Sequence, residues 1–116
     1  MNQILGYVTP DERERFNAYA LAHGLDVTAL ANLLIARELR AKRLASLIAL
    51  FDRTGPLPDR VKIVAHTPSE ATKLAFVAHA AEANVKPSRA AAILFRAELE
   101  ERWVERHVLV NQFDST

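Results

Sequence analysis

The stretch TPDERERFNAYALAHGLDVTALANLLIAREL, from Thr9 to Leu39, decides the fold of this chain. It predicts two helices joined by a tight turn, and a similar pattern returns about sixty residues later. An offset of sixty aligns Phe16 with Phe76, Ala18 with Ala78, Ala20 with Ala80, Leu25 with Val85, Thr28 with Ser88, Leu34 with Leu94, Glu38 with Glu98 and Leu39 with Leu99. The repeat therefore sets the expected architecture of the whole chain.

The first helix of this stretch carries clear start and stop signals. Thr9 is a suitable N-cap, Pro10 suits the first helical position, and Glu12 completes a capping box with Thr9. The helix is expected to run to about His23. Gly24 then has the residue type of a left-handed position that ends a helix.

The second helix is expected to begin with Asp26 or Thr28 as its cap. Its apolar pattern continues to Phe51 without a breaker. A helix of that length is unusual in a small domain, so one long helix and a break near Lys42 are both open.

The second copy repeats the order of the first. The expected elements are a strand from Arg60 to Thr67, a cap at Ser69, a helix to about Ala83, a turn from Asn84 to Pro87, and a helix capped by Ser88 that reaches about His107.

Each copy begins with a short segment that has the period-2 alternation of a strand. In Gln3–Val8 the inward residues are expected to be Ile4, Gly6 and Val8, with Gln3, Leu5 and Tyr7 outward. In the second copy Val61, Ile63 and Ala65 alternate with Lys62, Val64 and His66. A register error of one residue would exchange the two faces.

Composition limits the class of protein. The chain has 116 residues, no cysteine and a formal net charge of +1, so neither a disulfide framework nor a strongly basic polyanion binder is indicated. The start of the chain lacks a secretory signal pattern, and the apolar run Leu44–Phe51 is too short to span a bilayer. We expect a cytoplasmic protein without membrane contact. A unit of about sixty residues is marginal alone, so the repeats should share one core.

The expected division of the chain follows from the repeat and from the prolines and glycine near residue 55. Residues 1–51 form the first repeat, 52–59 a linker, 60–108 the second repeat, and 109–116 a fraying tail. The predicted common core contains Phe16, Leu34, Phe76, Ile93 and Leu94, with Trp103 and Val104 as further core or interface residues.

Catalytic signatures are missing from the sequence. The four histidines do not fall in pairs with metal-ligand spacing, and the three glycines form no phosphate-binding loop. Pairing of Glu98 with Arg102 one helical turn later accounts for the acidic residues of the last helix. We therefore expect neither an enzyme nor a cofactor.

The order strand, amphipathic helix, glycine-containing turn, small hydroxyl residue and leucine-rich helix resembles the ribbon-helix-helix family of DNA-binding proteins. The first copy matches with the stretch quoted above, and the second with HTPSEATKLAFVAHAAEANVKPSRAAAILFRAEL. The resemblance covers nearly the whole chain and is closest to the rarer tandem form. It implies a mainly α protein with a two-stranded antiparallel β-ribbon, built as a duplicated ribbon-helix-helix around an intrachain pseudo-two-fold axis.

For function, the resemblance implies sequence-specific binding of double-stranded DNA, with the ribbon in the major groove. The protein would act as a transcriptional repressor or as a plasmid maintenance or transfer accessory factor. Further self-association on repeated operator sites is common in the family. Carried onto this chain, the base-contacting residues are Gln3, Leu5, Tyr7, Lys62, Val64 and His66. The phosphate-binding residues are Thr28, Lys86, Ser88 and Arg89.

One alternative remains open at this point. Leu5 and Val64 could contact thymine methyl groups, or they could equally be buried against a protein. The second case describes an interaction module that has the same fold and does not bind DNA.

Overall fold

A computed structural model describes residues 2–52 and 59–107. The elements in chain order are β1 (Gln3–Val8), α1 (Pro10–Ala22), α2 (Val27–Ala41), α3 (Leu44–Phe51), β2 (Val61–His66), α4 (Glu70–Glu82) and α5 (Pro87–Glu101). A further helical turn covers residues 103–107. Residues 53–58 of the predicted linker and the whole of the predicted tail lie outside the described residues. The division into two repeats stays a prediction.

The two strands form one antiparallel ribbon. Gly6 lies opposite Ile63, and the register continues through all six positions of each strand. Helix α5 packs against β1, and α2 packs against β2, so each strand is covered by a helix from the other half of the chain. The predicted mainly helical architecture with a two-stranded antiparallel ribbon is confirmed.

The core beneath the ribbon contains the residues that the helical spacing predicted. Phe16, Phe76 and Ile93 are fully buried, and Leu34 and Leu94 are almost so. The strands contribute their inward aliphatic side chains, among them Ile4, Val8, Ile63 and Ala65. Both halves thus bury their apolar surface in a single core, as the small size of each half requires.

In three of the helices the side chain of the N-cap residue itself accepts a hydrogen bond from the first turn. Thr9 and Glu12 form the predicted capping box of α1, and Ser69 caps α4 by accepting a hydrogen bond from Thr72 N. Asp26 caps α2, since its Oδ1 accepts from Ala29 N at 2.7 Å. These caps satisfy backbone donors that have no partner within the helix.

Asp26 is the correct one of the two residues predicted as the cap of α2. The capping roles predicted for Thr28 and Ser88 are wrong. Both residues lie at the second position inside their helices, and Asp26 takes the cap of α2. Lys86 occupies the N-cap of α5 without a side-chain hydrogen bond. Pro87 explains this shift, because a proline at the first helical position moves the helix start ahead of Ser88.

Left-handed residues divide the long helical stretches. Gly24 has φ 74° after α1, and Lys42 has φ 52° between α2 and α3. The break near Lys42 is therefore the correct alternative. Arg102 has φ 53° and ends α5 at Glu101, so the prediction of an unbroken helix to about His107 is wrong.

Two buried glutamates hold these breaks in place. Glu38 Oε2 accepts a hydrogen bond from Leu44 N at 2.7 Å, and Glu98 Oε2 accepts one from Val104 N at 2.8 Å. Each carboxylate therefore caps the helical segment that follows the break. The predicted pairing of Glu98 with Arg102 is wrong, because the Glu98 side chain is 1% exposed and faces the interior.

Each glutamate also contacts α1 or α4 from the opposite half of the chain. The Tyr19 hydroxyl donates to Glu98 Oε2 at 2.6 Å, and His79 Nε2 lies 2.6 Å from Glu38 Oε2. Burial and the contact with Glu98 raise the pKa of Tyr19 above its ordinary value. The two contacts are related by the sixty-residue offset, which carries Tyr19 to His79 and Glu38 to Glu98.

No single helix in the part of the chain that the structure describes combines the length and apolar character needed to cross a bilayer. Helices α1 and α2 meet that test only together, across a 90° bend.

An ion pair between Arg43 and Glu101 gives a pH-dependent prediction. The two side chains share bidentate hydrogen bonds of 3.0 and 2.8 Å, and the guanidinium lowers the pKa of the Glu101 carboxyl. A depressed carboxyl pKa stabilises the folded state above the ordinary value of about 4.5, and this contribution is lost as pH falls below it. Because the pair is partly exposed, we expect Arg43→Gln to cost only about 0.5–1 kcal/mol at pH 7.

Carboxyl NMR titration and urea unfolding at pH 7 and pH 3 would measure this effect. The pKa of Glu101 should rise in Arg43→Gln and stay unchanged in Arg40→Gln, which alters an exposed position of α2. An equal pKa of Glu101 in the wild type and in Arg43→Gln would contradict the prediction.

Candidate nucleic-acid interface

The six residues predicted to contact bases form three cross-strand pairs on the side of the ribbon opposite the core; we call this surface the outer face. Gln3 lies opposite His66, Leu5 opposite Val64, and Tyr7 opposite Lys62. Five of the six inward positions are buried and Val61 is partly buried, which confirms the predicted alternation and excludes the register that would exchange the faces. The outer face is therefore a single surface about 20 Å long, as expected for six-residue strands.

Polarity varies along the outer face. Gln3, Lys62 and His66 are exposed, while Leu5, Tyr7 and Val64 are partly buried. The aliphatic pair stands at the centre, and hydrogen-bonding side chains stand at both ends. The face can thus make polar contacts on either side of an apolar middle.

One end of the outer face has additional positive charge. The Arg60 guanidinium lies over the Tyr7 ring at 4.6 Å, and Arg13 Nε donates to the Lys62 carbonyl at 3.3 Å. Arg13, Arg60 and Lys62 thus form a cationic cluster at the end that holds the Tyr7–Lys62 pair. Sequence reasoning missed Arg13 and Arg60, because neither belongs to the outward positions of a strand.

At the other end of the outer face, which holds the Gln3–His66 pair, the hydrogen bonds join uncharged groups. Asn32 Oδ1 accepts from His66 N at 2.7 Å, and the Asn2 carbonyl accepts from Thr67 N at 2.8 Å. These contacts satisfy the backbone where β2 ends, since an edge strand otherwise leaves its donors without protein partners. The two ends of the face therefore differ in charge.

The predicted phosphate-binding residues lie at the beginnings of two helices. Thr28 occupies the first turn of α2, and Lys86 and Ser88 occupy the start of α5. The first turn of a helix presents backbone N–H groups that have no acceptor within the helix, an arrangement suited to anions.

Arg89 has a different environment from the other three. Its guanidinium makes bidentate hydrogen bonds of 2.8 and 2.7 Å to the Asp52 carboxylate, which raises the pKa of Arg89. Asp52 follows the last residue of α3, so the pair ties the end of α3 to the start of α5. A phosphate contact by Arg89 would have to compete with this pair.

The described ranges contain no cluster of metal-binding side chains. No group of three or more histidine, aspartate or glutamate side chains there is arranged to hold a metal ion.

Comparison with known proteins adds no relative from which a function could be transferred. No protein-family model, curated protein or solved structure matches the chain.

Proposed function

We propose that this chain is a duplicated ribbon-helix-helix protein that binds specific duplex DNA through the outer face of its ribbon. The arrangement of the six outward residues as three cross-strand pairs on the side of the ribbon away from the core carries the proposal. A two-stranded ribbon fits the B-DNA major groove, which is about 12 Å wide and presents a distinct pattern for each base pair.

Three features support duplication around an intrachain pseudo-two-fold axis. Corresponding elements have equal lengths of 6, 13 and 15 residues in the two halves. Each half covers the strand of the other with its longest helix. The contacts of Tyr19 with Glu98 and of His79 with Glu38 exchange under the same offset. Because the strands align with an offset of fifty-nine residues and the helices with sixty, a pseudo-two-fold axis through the Leu5–Val64 pair relates all three features.

In the proposed complex, the ends of the outer face make hydrogen bonds to base edges. Lys62 suits the O6 and N7 acceptors of guanine, and Gln3 suits adenine. Tyr7 and His66 extend these contacts, while Leu5 and Val64 contact thymine methyl groups. The preferred site would then have A·T pairs at its centre and mixed pairs on either side.

Phosphate contacts position the ribbon in this proposal. The first turns of α2 and α5 supply backbone N–H groups beside Thr28 and Ser88, and Lys86 adds a positive charge. Arg13 and Arg60 lie beside the ribbon, where they would contact the phosphates of the two DNA strands that border the groove. This local charge compensates for the formal net charge of only +1.

The proposed biological role is a transcriptional repressor or a plasmid maintenance or transfer accessory factor in the cytoplasm. Its mechanism is occupation of a DNA site without a chemical step. Several copies could bind side by side on repeated sites.

Substitution of the outer face tests the proposal. After selection of a preferred sequence from a random duplex library, Lys62→Ala and Gln3→Ala should each weaken specific binding by about 5- to 150-fold, because a good base contact is worth about 1–3 kcal/mol. Arg40→Ala, at an exposed position near the end of α2, should leave the affinity nearly unchanged. Fluorescence anisotropy at two salt concentrations would measure all three, and specific binding should weaken as salt rises.

Failure to select any sequence from the library would contradict the proposal. So would affinities of Lys62→Ala and Gln3→Ala equal to that of the wild type, provided that circular dichroism shows the variants to be folded.

A protein-interaction module without DNA binding is the second candidate. The partly buried aliphatic pair Leu5–Val64 at the centre of the outer face favours it, as does the near-neutral charge of the chain. The two candidates differ in a simple observation: the interaction module predicts no sequence preference for DNA at any salt concentration.

A further inference from the structure

A small cavity with several charged lining residues lies between helices α2, α3 and α5. The centre of a water molecule can occupy about 10 Å³ of it. Roughly 10–15 Å³ of such space is enough for one water molecule, so the cavity is too small for an organic ligand. Its charged lining residues are Arg37, Glu38, Arg43, Glu98 and Glu101.

The two carboxylate oxygens of Glu98 have different environments. Oε2 accepts hydrogen bonds from the Tyr19 hydroxyl and from Val104 N. Oε1 is also buried, and no group within residues 2–52 and 59–107 donates a hydrogen bond to it. Buried polar atoms in proteins almost always have a partner, either a protein group or an ordered water. Oε1 therefore requires a donor.

Arg37 is the nearest cationic group to this oxygen. Its Nη1 lies 4.0 Å from Glu98 Oε1, which is too long for a direct hydrogen bond. One water molecule can span this separation, because each hydrogen bond to it is about 2.7–3.0 Å long. The Arg37 guanidinium also lies over the Trp103 ring at 4.3 Å, and this contact holds it beside the cavity.

The other charged groups of the lining are engaged in contacts of their own. Arg43 and Glu101 share two hydrogen bonds of 3.0 and 2.8 Å. Glu38 Oε2 accepts from Leu44 N and lies 2.6 Å from His79 Nε2. A metal cation in the cavity would be repelled by the two guanidinium groups that line it. A neutral molecule that both donates and accepts hydrogen bonds fits this environment better.

We infer that the cavity binds one water molecule, which accepts a hydrogen bond from the Arg37 guanidinium and donates one to Glu98 Oε1. The carboxylates of Glu38 and Glu101 line the same cavity and are the acceptors available to its second hydrogen. The offset of sixty puts Ala97 at the position of Arg37, so α5 has no equivalent donor. The water joins α2 to α5, and its binding does not depend on DNA.

A high-resolution crystal structure of the wild type tests the site directly. It should show a water oxygen about 2.7–3.2 Å from both Glu98 Oε1 and an Arg37 Nη atom. Absence of a density peak there, or direct contact of Arg37 with Glu98 Oε1, would overturn the inference. So would a metal ion in the cavity, which shorter distances of about 2.0–2.6 Å to several oxygens would identify.

Oxygen-17 magnetic relaxation dispersion provides a test in solution, because it counts water molecules that stay bound for longer than the protein takes to tumble. Arg37→Met removes the donor and keeps an apolar side chain, so the count should fall by one. Arg40→Met, at an exposed position near the end of α2, should leave the count unchanged. Equal counts in the wild type and in an Arg37→Met variant that circular dichroism shows to be folded would contradict the inference.

Discussion

Gly6→Ala is expected to lower the free energy of unfolding by about 2 kcal/mol, because the added methyl group has no space. A Cβ at this position would lie 2.5 Å from Phe95 Cε2 and 3.1 Å from the backbone nitrogen of Ala92. The ring cannot retreat freely, since Phe95 is 1% exposed and packs against Phe16 at a centroid distance of 5.2 Å. Urea unfolding followed by circular dichroism would measure the change.

A second substitution provides the control for this steric explanation. The strands of the two halves align with an offset of fifty-nine residues and the helices with sixty, so Gly6 corresponds to Ala65 and Phe95 to Ile35. Phe95→Ile combined with Gly6→Ala therefore reproduces the pair of residues found in the other half. The double variant should therefore be less destabilised than the sum of the two single variants, with a coupling of about 1 kcal/mol. Strict additivity would show that the methyl group and the ring do not compete for space.

Glu98→Ala is expected to cost about 3 kcal/mol of stability. The substitution leaves the Val104 N–H and the Tyr19 hydroxyl without their acceptor and opens a cavity beneath the helix break. The helical turn over residues 103–107 should fray in the variant, since its cap is lost. Urea unfolding would give the energy, and amide hydrogen exchange would report the fraying.

Glu100→Ala is the matched control on the same helix. The Glu100 side chain is 66% exposed and forms an exposed ion pair with Arg15 at 3.8 Å, so its removal should change stability by less than about 0.5 kcal/mol. Comparable losses in the two variants would mean that burial of Glu98 does not determine its contribution.

Local signals in the sequence determined much of this fold. The period-2 alternation gave the inward and outward faces of both strands, and the Thr9–Glu12 capping box fixed the start of α1. These features depend on neighbours within a few residues, which a single sequence displays directly. The outer face and five predicted core residues followed from the same patterns.

The contacts that sequence analysis missed join distant parts of the chain. From the sequence alone, a glutamate in a helix is expected to be exposed to solvent. Only the tertiary fold brings Tyr19 close to Glu98. The same applies to Arg13 and Arg60, whose places beside the ribbon depend on strand pairing. The wrong caps at Thr28 and Ser88 have a local cause, since nearby Asp26 and Pro87 determine those helix starts.

The antiparallel ribbon has a consequence for symmetry, because both of its strands come from one polypeptide. A homodimer must present identical halves, whereas here the Gln3–His66 end and the Tyr7–Lys62 end carry different side chains. Mutation can change either end without altering the other. A binding partner that complements this ribbon along its whole length would also lack two-fold symmetry. It would therefore fix the orientation in which the protein binds.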